Sequence, residues 1–241
     1  TEFDREHLPG PGLPVVGVLP RNADLVAEMD KFGLDTCCVF GMQIMGDNDF
    51  GNDEVAAMLR AYPDRFVGFT FVNPNYGEAA MLAELERGLS LGMQGIKLML
   101  DSYATYPSGG PLVEVPCRFA HEHGQIILSH TWGGADRIRE LCTRYPNACF
   151  IAGHATAAFV DVCREVDNLY ICTCPFLAWN QTEQSVQMYG ADRILFGSDL
   201  TDLPIAWGLG QIMYARISEE DKRKILGGNL RKIMERYGVK R

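Results

Sequence analysis

Residues 125–154 read QIILSHTWGGADRIRELCTRYPNACFIAGH, and this stretch decides the fold. It opens on a short apolar run, Gln125 to Ser129, and closes on another, Cys149 to Ala152. Between them, Ala135 to Tyr145 carries the 3.6-residue spacing of an amphipathic helix. A strand, a helix and a strand joined by short loops make one unit of a parallel sheet with crossover helices. Each of the two strands runs into a histidine: Ser129 into His130, and Gly153 into His154.

The same alternation extends in both directions. Upstream, the pattern predicts helices at Asn22–Lys31 (capped by Asn22 and ended by Gly33), Asn52–Tyr62, Gly77–Leu89 and Leu112–His123. Pro116 near the start of the last of these argues for a later beginning. Strands are expected at Thr36–Phe40, Phe66–Val72 and Gly95–Leu98. Downstream come helices at Ala157–Val166 and Thr182–Tyr189 and strands at Leu169–Thr173 and Arg193–Phe196. The tail, Glu219 to Tyr237, reads as two helices broken at Gly227-Gly228. Eight strands close a (β/α)₈ barrel, and this series holds seven. The eighth belongs before the Asn22 helix, where only Val15 to Leu19 is available, among Pro9, Pro11, Pro14 and Pro20. The expected fold is therefore α/β, a (β/α)₈ TIM barrel with its first strand short or missing, as a single domain over residues 1–241.

Composition fits that size. Of 241 residues, 47% are apolar and 22% charged, ordinary for a globular chain with a sizeable core. The net charge of −9 and the lack of a Lys/Arg cluster exclude a nucleic-acid binder. No apolar run is long enough to span a bilayer and no signal-peptide pattern opens the chain. Eight cysteines without zinc-knuckle spacing, several inside apolar runs, read as reduced thiols acting as small hydrophobes. The expectation is a cytoplasmic enzyme with a small-molecule substrate. Trp207 to Tyr214 is apolar enough to form an interface in a homo-oligomer.

Catalytic groups in such barrels lie just past the C-terminal ends of the strands. The polar residues there are His130, His154, Asp199 after Ile194-Leu195-Phe196-Gly197-Ser198, Lys97 after Gly95-Ile96, and Asn73 after Phe71-Val72. Imidazole and carboxylate suit zinc and other first-row divalent metals, and such a metal activates water or polarises a carbonyl. Lys97 reads either as a strand residue satisfied by a carboxylate, or as a contact for a substrate anion or a carbamylated bridge between metals. Asn73-Pro74-Asn75 is a turn and helix-entry device, unless Asn73 meets substrate. Trp132 either walls the pocket or packs on a neighbouring loop. His121-Glu122-His123 has the spacing of a metal pair, but it ends a helix ahead of a strand. That places it at the opposite, stability-determining face, near the negative end of the helix dipole.

On Tyr62-Pro63-Asp64-Arg65-Phe66, Val72-Asn73-Pro74-Asn75, Gly95-Ile96-Lys97-Leu98, Leu128-Ser129-His130, Gly153-His154, Arg193 to Asp199 and Ile225 to Leu230, the sequence resembles the amidohydrolase-related (amidohydrolase 2) family. That family includes zinc-dependent decarboxylases of the aminocarboxymuconate semialdehyde and resorcylate type. The resemblance implies a divalent metal, zinc first, with His130 as a ligand. Asp199 would bind the metal or orient water, and His154 would be a second ligand, as in some relatives, or, as favoured here, transfer a proton. One departure stands out: the family's first strand ends in an HxH pair that supplies two ligands, and here His7 is the only histidine before His121. Three accounts of it compete: a preceding segment outside this sequence, a shortened member with a weakened or absent metal site, or a metal-free mechanism. His130 and Asp199 alone make a poor zinc site, since catalytic zinc takes three protein ligands. The expected activity is metal-assisted hydrolysis of an amide, ester or lactone of a small carboxylated compound. Decarboxylation of a small aromatic or unsaturated acid at the same site comes second, and a degenerate barrel kept for binding or assembly third.

Overall fold

The computed structural model describes residues 22–41, 48–101, 105–154, 157–174, 176–200 and 203–239. Along the chain these form α1 (Asn22–Phe32), β1 (Cys37–Phe40), α2 (Asn48–Ala61), β2 (Phe66–Phe71), α3 (Glu78–Ser90), β3 (Gly95–Leu98), α4 (Glu114–His123) and β4 (Ile126–Ser129). Then come α5 (Ala135–Arg144), β5 (Cys149–Ala152), α6 (Val160–Glu165), β6 (Leu169–Cys172), α7 (Gln181–Tyr189), β7 (Ile194–Leu195), α8 (Ile205–Met213), α9 (Glu219–Arg223) and α10 (Asn229–Arg236).

Among the described residues, seven strands form one sheet in sequential order, each parallel to its neighbour. That is the curled wall of a (β/α)₈ barrel. The eighth strand expected at Val15 to Leu19 lies outside the described residues, as does His7.

The register sorts the strand residues onto two faces, because successive side chains point to opposite sides. Ile96, Leu98, Ile127, Phe150, Ala152, Ile171 and Ile194 pack outward with helix residues such as Leu85, Phe119, Ile138, Leu141 and Val162. Val67, Phe69, Ile126, Leu128, Cys149, Ile151, Cys172 and Leu195 form the inner cluster, joined by Phe40 and by Ile233 and Met234 of α10. Both faces are buried, so the strands read as continuous apolar runs. Lys97 pairs in register with Phe71 and Leu128 and lies between Ile96 and Leu98. It therefore belongs to the inner face.

Polar anchors hold helices to strands. Buried Asn52 of α2 donates to the Phe71 carbonyl at 2.9 Å and accepts from the Phe71 N–H at 2.8 Å. Asn168 donates to the carbonyls of Cys142, Tyr145 and Ala148. Asn229 of α10 donates to the carbonyls of Ala191 and Ile194, at 2.7 and 2.8 Å, and so ties the tail to β7.

Three local expectations shift. The helix expected from Leu112 begins at Glu114, after a 3₁₀ turn over Pro111–Val113; two prolines within six residues delay the α-helical ladder. The break at Gly227-Gly228 is a π-turn, Lys224–Gly228, in which Gly227 leaves helical backbone at φ 166°. And α8 fills the stretch read only as a contact surface; it exposes Trp207 and Met213 while burying Ile205 and Ile212. No disulfide joins the eight cysteines, and six of them are buried. No described helix is long and apolar enough to cross a membrane.

Candidate active site

Parallel strands end on one side, so the residues after β4, β5 and β7 share the C-terminal rim. There the rings of His130 and His154 sit edge to face, centroids 4.6 Å apart. Gly153 makes that approach possible, since a Cβ on it would lie 2.9 Å from Cδ2 of His130. His154 is exposed and His130 half-buried. Burial, with the charges of Lys97 and His154 adding to it, pushes the His130 imidazole down to about 3. It is neutral at any ordinary pH.

Lys97 is the unusual group. It is 0% exposed, and among the described residues its ammonium nitrogen has no hydrogen-bond partner. The nitrogen lies 4.7 Å from the centroid of the Phe40 ring, whose π face attracts it. Loss of water lowers its pKa from 10.5 to about 8, against which the nearby thiols of Cys174 and Cys172 and the carboxylate of Asp199 pull upward. A buried cation without full hydrogen bonding is costly. It persists at the mouth of a barrel, where ligands bind.

Backbone strain marks the same rim. His154, Cys174 and Asp199, just past β5, β6 and β7, hold φ of 50°, 29° and 52°. Left-handed backbone costs a non-glycine residue about 1–3 kcal/mol, and such residues cluster at functional sites. The end of β6 is clamped to that of β7 by Thr173, whose hydroxyl accepts from the Gly197 N–H at 2.9 Å and donates to the Gly197 carbonyl at 3.2 Å.

Two expected substrate contacts, Trp132 and Asn73, make hydrogen bonds within the protein. Trp132 is 1% exposed; its indole N–H donates to the Ile151 carbonyl at 3.0 Å and its ring packs edge-on against Phe150 at 5.3 Å. It packs in the core, with its ring against Phe150. Asn73 caps the 3₁₀ turn Pro74–Tyr76, its side-chain oxygen accepting from the N–H of Asn75 at 3.0 Å. Its carboxamide serves the turn.

The expected metal finds too few donors here. Among the described residues, no three of His, Cys, Asp and Glu converge as ligands for one ion. His130 and His154 adjoin, but the charge acting on His130 from below is the Lys97 cation rather than a third donor. The described residues do not fit a tightly held zinc built on His130 and Asp199.

At the opposite pole, His121 accepts from the N–H of Asn147 at 3.0 Å and His123 stacks on Phe119 at 4.2 Å. Both are helix-end structure, as their place ahead of β4 implies.

Cys172 and Cys174, whose charges would bear on Lys97, stand out only in the folded chain. Their signal is a Cys-Thr-Cys triplet at a strand end, and it merges with the apolar run that precedes it.

Comparison with known proteins agrees with this architecture. A TIM-barrel protein of Bordetella bronchiseptica superposes with a TM-score of 0.73 at 20% identity, over 89% of this chain and 82% of that one. The 2,6-dihydroxybenzoate decarboxylase of Rhizobium gives 0.71 at 19%, over 90% and 89%. A dihydroxybenzoic acid decarboxylase of a Polaromonas species, solved with bound manganese and the inhibitor 2-nitroresorcinol, gives 0.69 at 19%, over 90% and 86%. No curated protein matches the sequence. At these identities the structural likeness speaks to fold alone. The amidohydrolase family profile, however, matches residues 45–234, most of the sequence, and the chain belongs to the amidohydrolase family.

Proposed function

We propose that this chain is an enzyme that hydrolyses an amide, ester or lactone of a small carboxylated compound at the rim of its barrel. One observation carries the reading: the Lys97 ammonium, wholly buried, without a hydrogen-bond partner among the described residues and on the inner face below His130 and His154. A substrate carboxylate supplies the partner that such a cation lacks. The ion pair forms in a dry site, where attraction is strong.

The remaining roles come from position. His154, exposed beside neutral His130, accepts and returns the proton of the attacking water. Asp199 bears on the Lys97 charge and keeps it cationic between turnovers.

A second reading is favoured by the relatives. The Rhizobium and Polaromonas proteins are decarboxylases of dihydroxylated benzoic acids. Decarboxylation of a small aromatic or unsaturated acid needs the same carboxylate anchor and the same proton carrier, with the proton delivered to carbon.

The test is a panel of small carboxylated esters, lactones, amides and aromatic acids, each paired with its uncharged methyl ester, assayed for acid release and for carbon dioxide. Acid release from the carboxylated members alone is the expected result. Carbon dioxide release establishes the second reading in its place. Equal turnover of the uncharged analogues overturns the anchoring role of Lys97.

A further inference from the structure

We propose that Cys172 and Cys174 are an oxidisable pair that closes into an intrachain disulfide at the barrel rim, beside Lys97. Cys172 ends β6, and Cys174 lies two residues on, just past the strand, where the backbone turns left-handed at φ 29°. A two-residue step reaches at most about 7.2 Å between Cα atoms, and its turn at Cys174 shortens it into the roughly 4.4–6.8 Å range that a disulfide spans. The side chains already meet. A Cβ on Gly197 would collide with Cys172 Sγ and stand 3.0 Å from Cys174 Sγ, so both sulfurs converge on the face left open by that glycine. Thr173, between them, is fastened to Gly197 through both its hydroxyl contacts, which holds the triplet in place.

The neighbourhood favours reaction as well as proximity. The neighbouring Cys172 thiol, against the effect of burial and with the help of the Lys97 charge, holds the Cys174 thiol below its ordinary range, whereas burial raises Cys37, Cys38, Cys117, Cys142, Cys149 and Cys163. A thiolate beside a cation is the reactive form. With hydrogen peroxide as oxidant, the Cys174 sulfur takes one oxygen to become a sulfenic acid, and water is released. The Cys172 sulfur then displaces a second water and forms the S–S bond. Two thiols and one peroxide give one disulfide and two waters.

Closure deprives Lys97 of two of the three groups that favour its charge. That consequence rests on the reading of Lys97 as anion anchor; the disulfide itself does not.

Peptide mapping tests it. Trypsin releases residues 165–193 as one peptide that holds Cys172 and Cys174 and no other cysteine. After brief treatment of the whole folded protein with a slight excess of hydrogen peroxide, then N-ethylmaleimide under denaturing conditions, this peptide is expected unlabelled and lighter by two hydrogens. Dithiothreitol should restore both labelling sites, and Cys172→Ser should abolish the product. Lys97→Met should slow formation by about tenfold; Lys97→Arg, which keeps the charge, should restore the rate. A doubly labelled peptide under conditions that oxidise Cys37 or Cys38 overturns the pair. An unchanged rate in Lys97→Met, with its folding verified by circular dichroism, overturns the part given to Lys97. None of these readouts uses a substrate, so failure here and failure of the hydrolase reading are distinct results.

Discussion

The chain holds two histidine pairs at opposite ends of its strands. His121 and His123 close α4, one accepting from a backbone N–H and the other stacked on Phe119. His130 and His154 lie just past β4 and β5, ring against ring above a buried ammonium. The first pair has the HxH spacing that draws the eye, and the second is 24 residues apart in the sequence. The difference lies in strand direction. A parallel barrel gathers the residues after its strands into one mouth and disperses those ahead of its strands around the base.

Substitutions should widen that contrast. His154→Ala is expected to lower turnover by about 10²–10⁴-fold with the far-ultraviolet circular dichroism unchanged, the size of a lost proton carrier. Asp199→Asn should fall within the lower part of the same range. Wild-type rates in either variant, measured on any substrate that the panel yields, would remove that residue from the mechanism.

The pH dependence of stability offers a smaller effect of known sign. Unfolded Lys97 titrates near 10.5 and native Lys97 near 8, so between those values the unfolded chain binds the extra proton and stability gains as pH rises through the window. His130 behaves alike lower down: the unfolded imidazole protonates near 6.5 and the native one near 3, so stability is lost as pH falls through that interval. Denaturant titrations of wild type and Lys97→Met should differ most in slope in the upper window, and in the lower one only by the small rise that loss of the Lys97 charge gives His130. Parallel curves there would show that Lys97 is not a buried cation.

The smallest effect belongs to the base of the barrel. His121→Ala removes one acceptor from an exposed loop and should cost under about 1 kcal/mol, with turnover untouched. A loss of activity in this variant would dissolve the distinction between the two pairs.

Much of this is legible in the sequence for a physical reason. A strand buried on both faces must be apolar throughout, so each run, from Cys37–Phe40 to Ile194–Leu195, stands out within two residues of its true bounds. The residue next after each run is then a rim residue. Helix α8 is not legible because Ile205–Met213 is apolar on nearly every side and contains Gly208 and Gly210, which leaves no helical stripe to detect. Trp132 and Asn73 show a second limit. Both lie near strand ends, but whether a side chain turns toward the mouth or back into the structure depends on partners such as the Ile151 carbonyl. The left-handed backbone at His154, Cys174 and Asp199 leaves no trace in residue type, and the convergence of two sulfurs on Gly197 needs the register of β6 against β7.

The proposed chemistry turns on Lys97, and its ammonium can be observed directly. Selective isotope labelling of lysine side chains, with a magnetic-resonance pH titration, reads its pKa in the free protein and again with a small carboxylate bound. The expected free value is about 8, rising when the carboxylate binds because the anion favours the charged form. A value near 10.5, or one that the carboxylate leaves in place, would contradict a buried cation waiting for an anion.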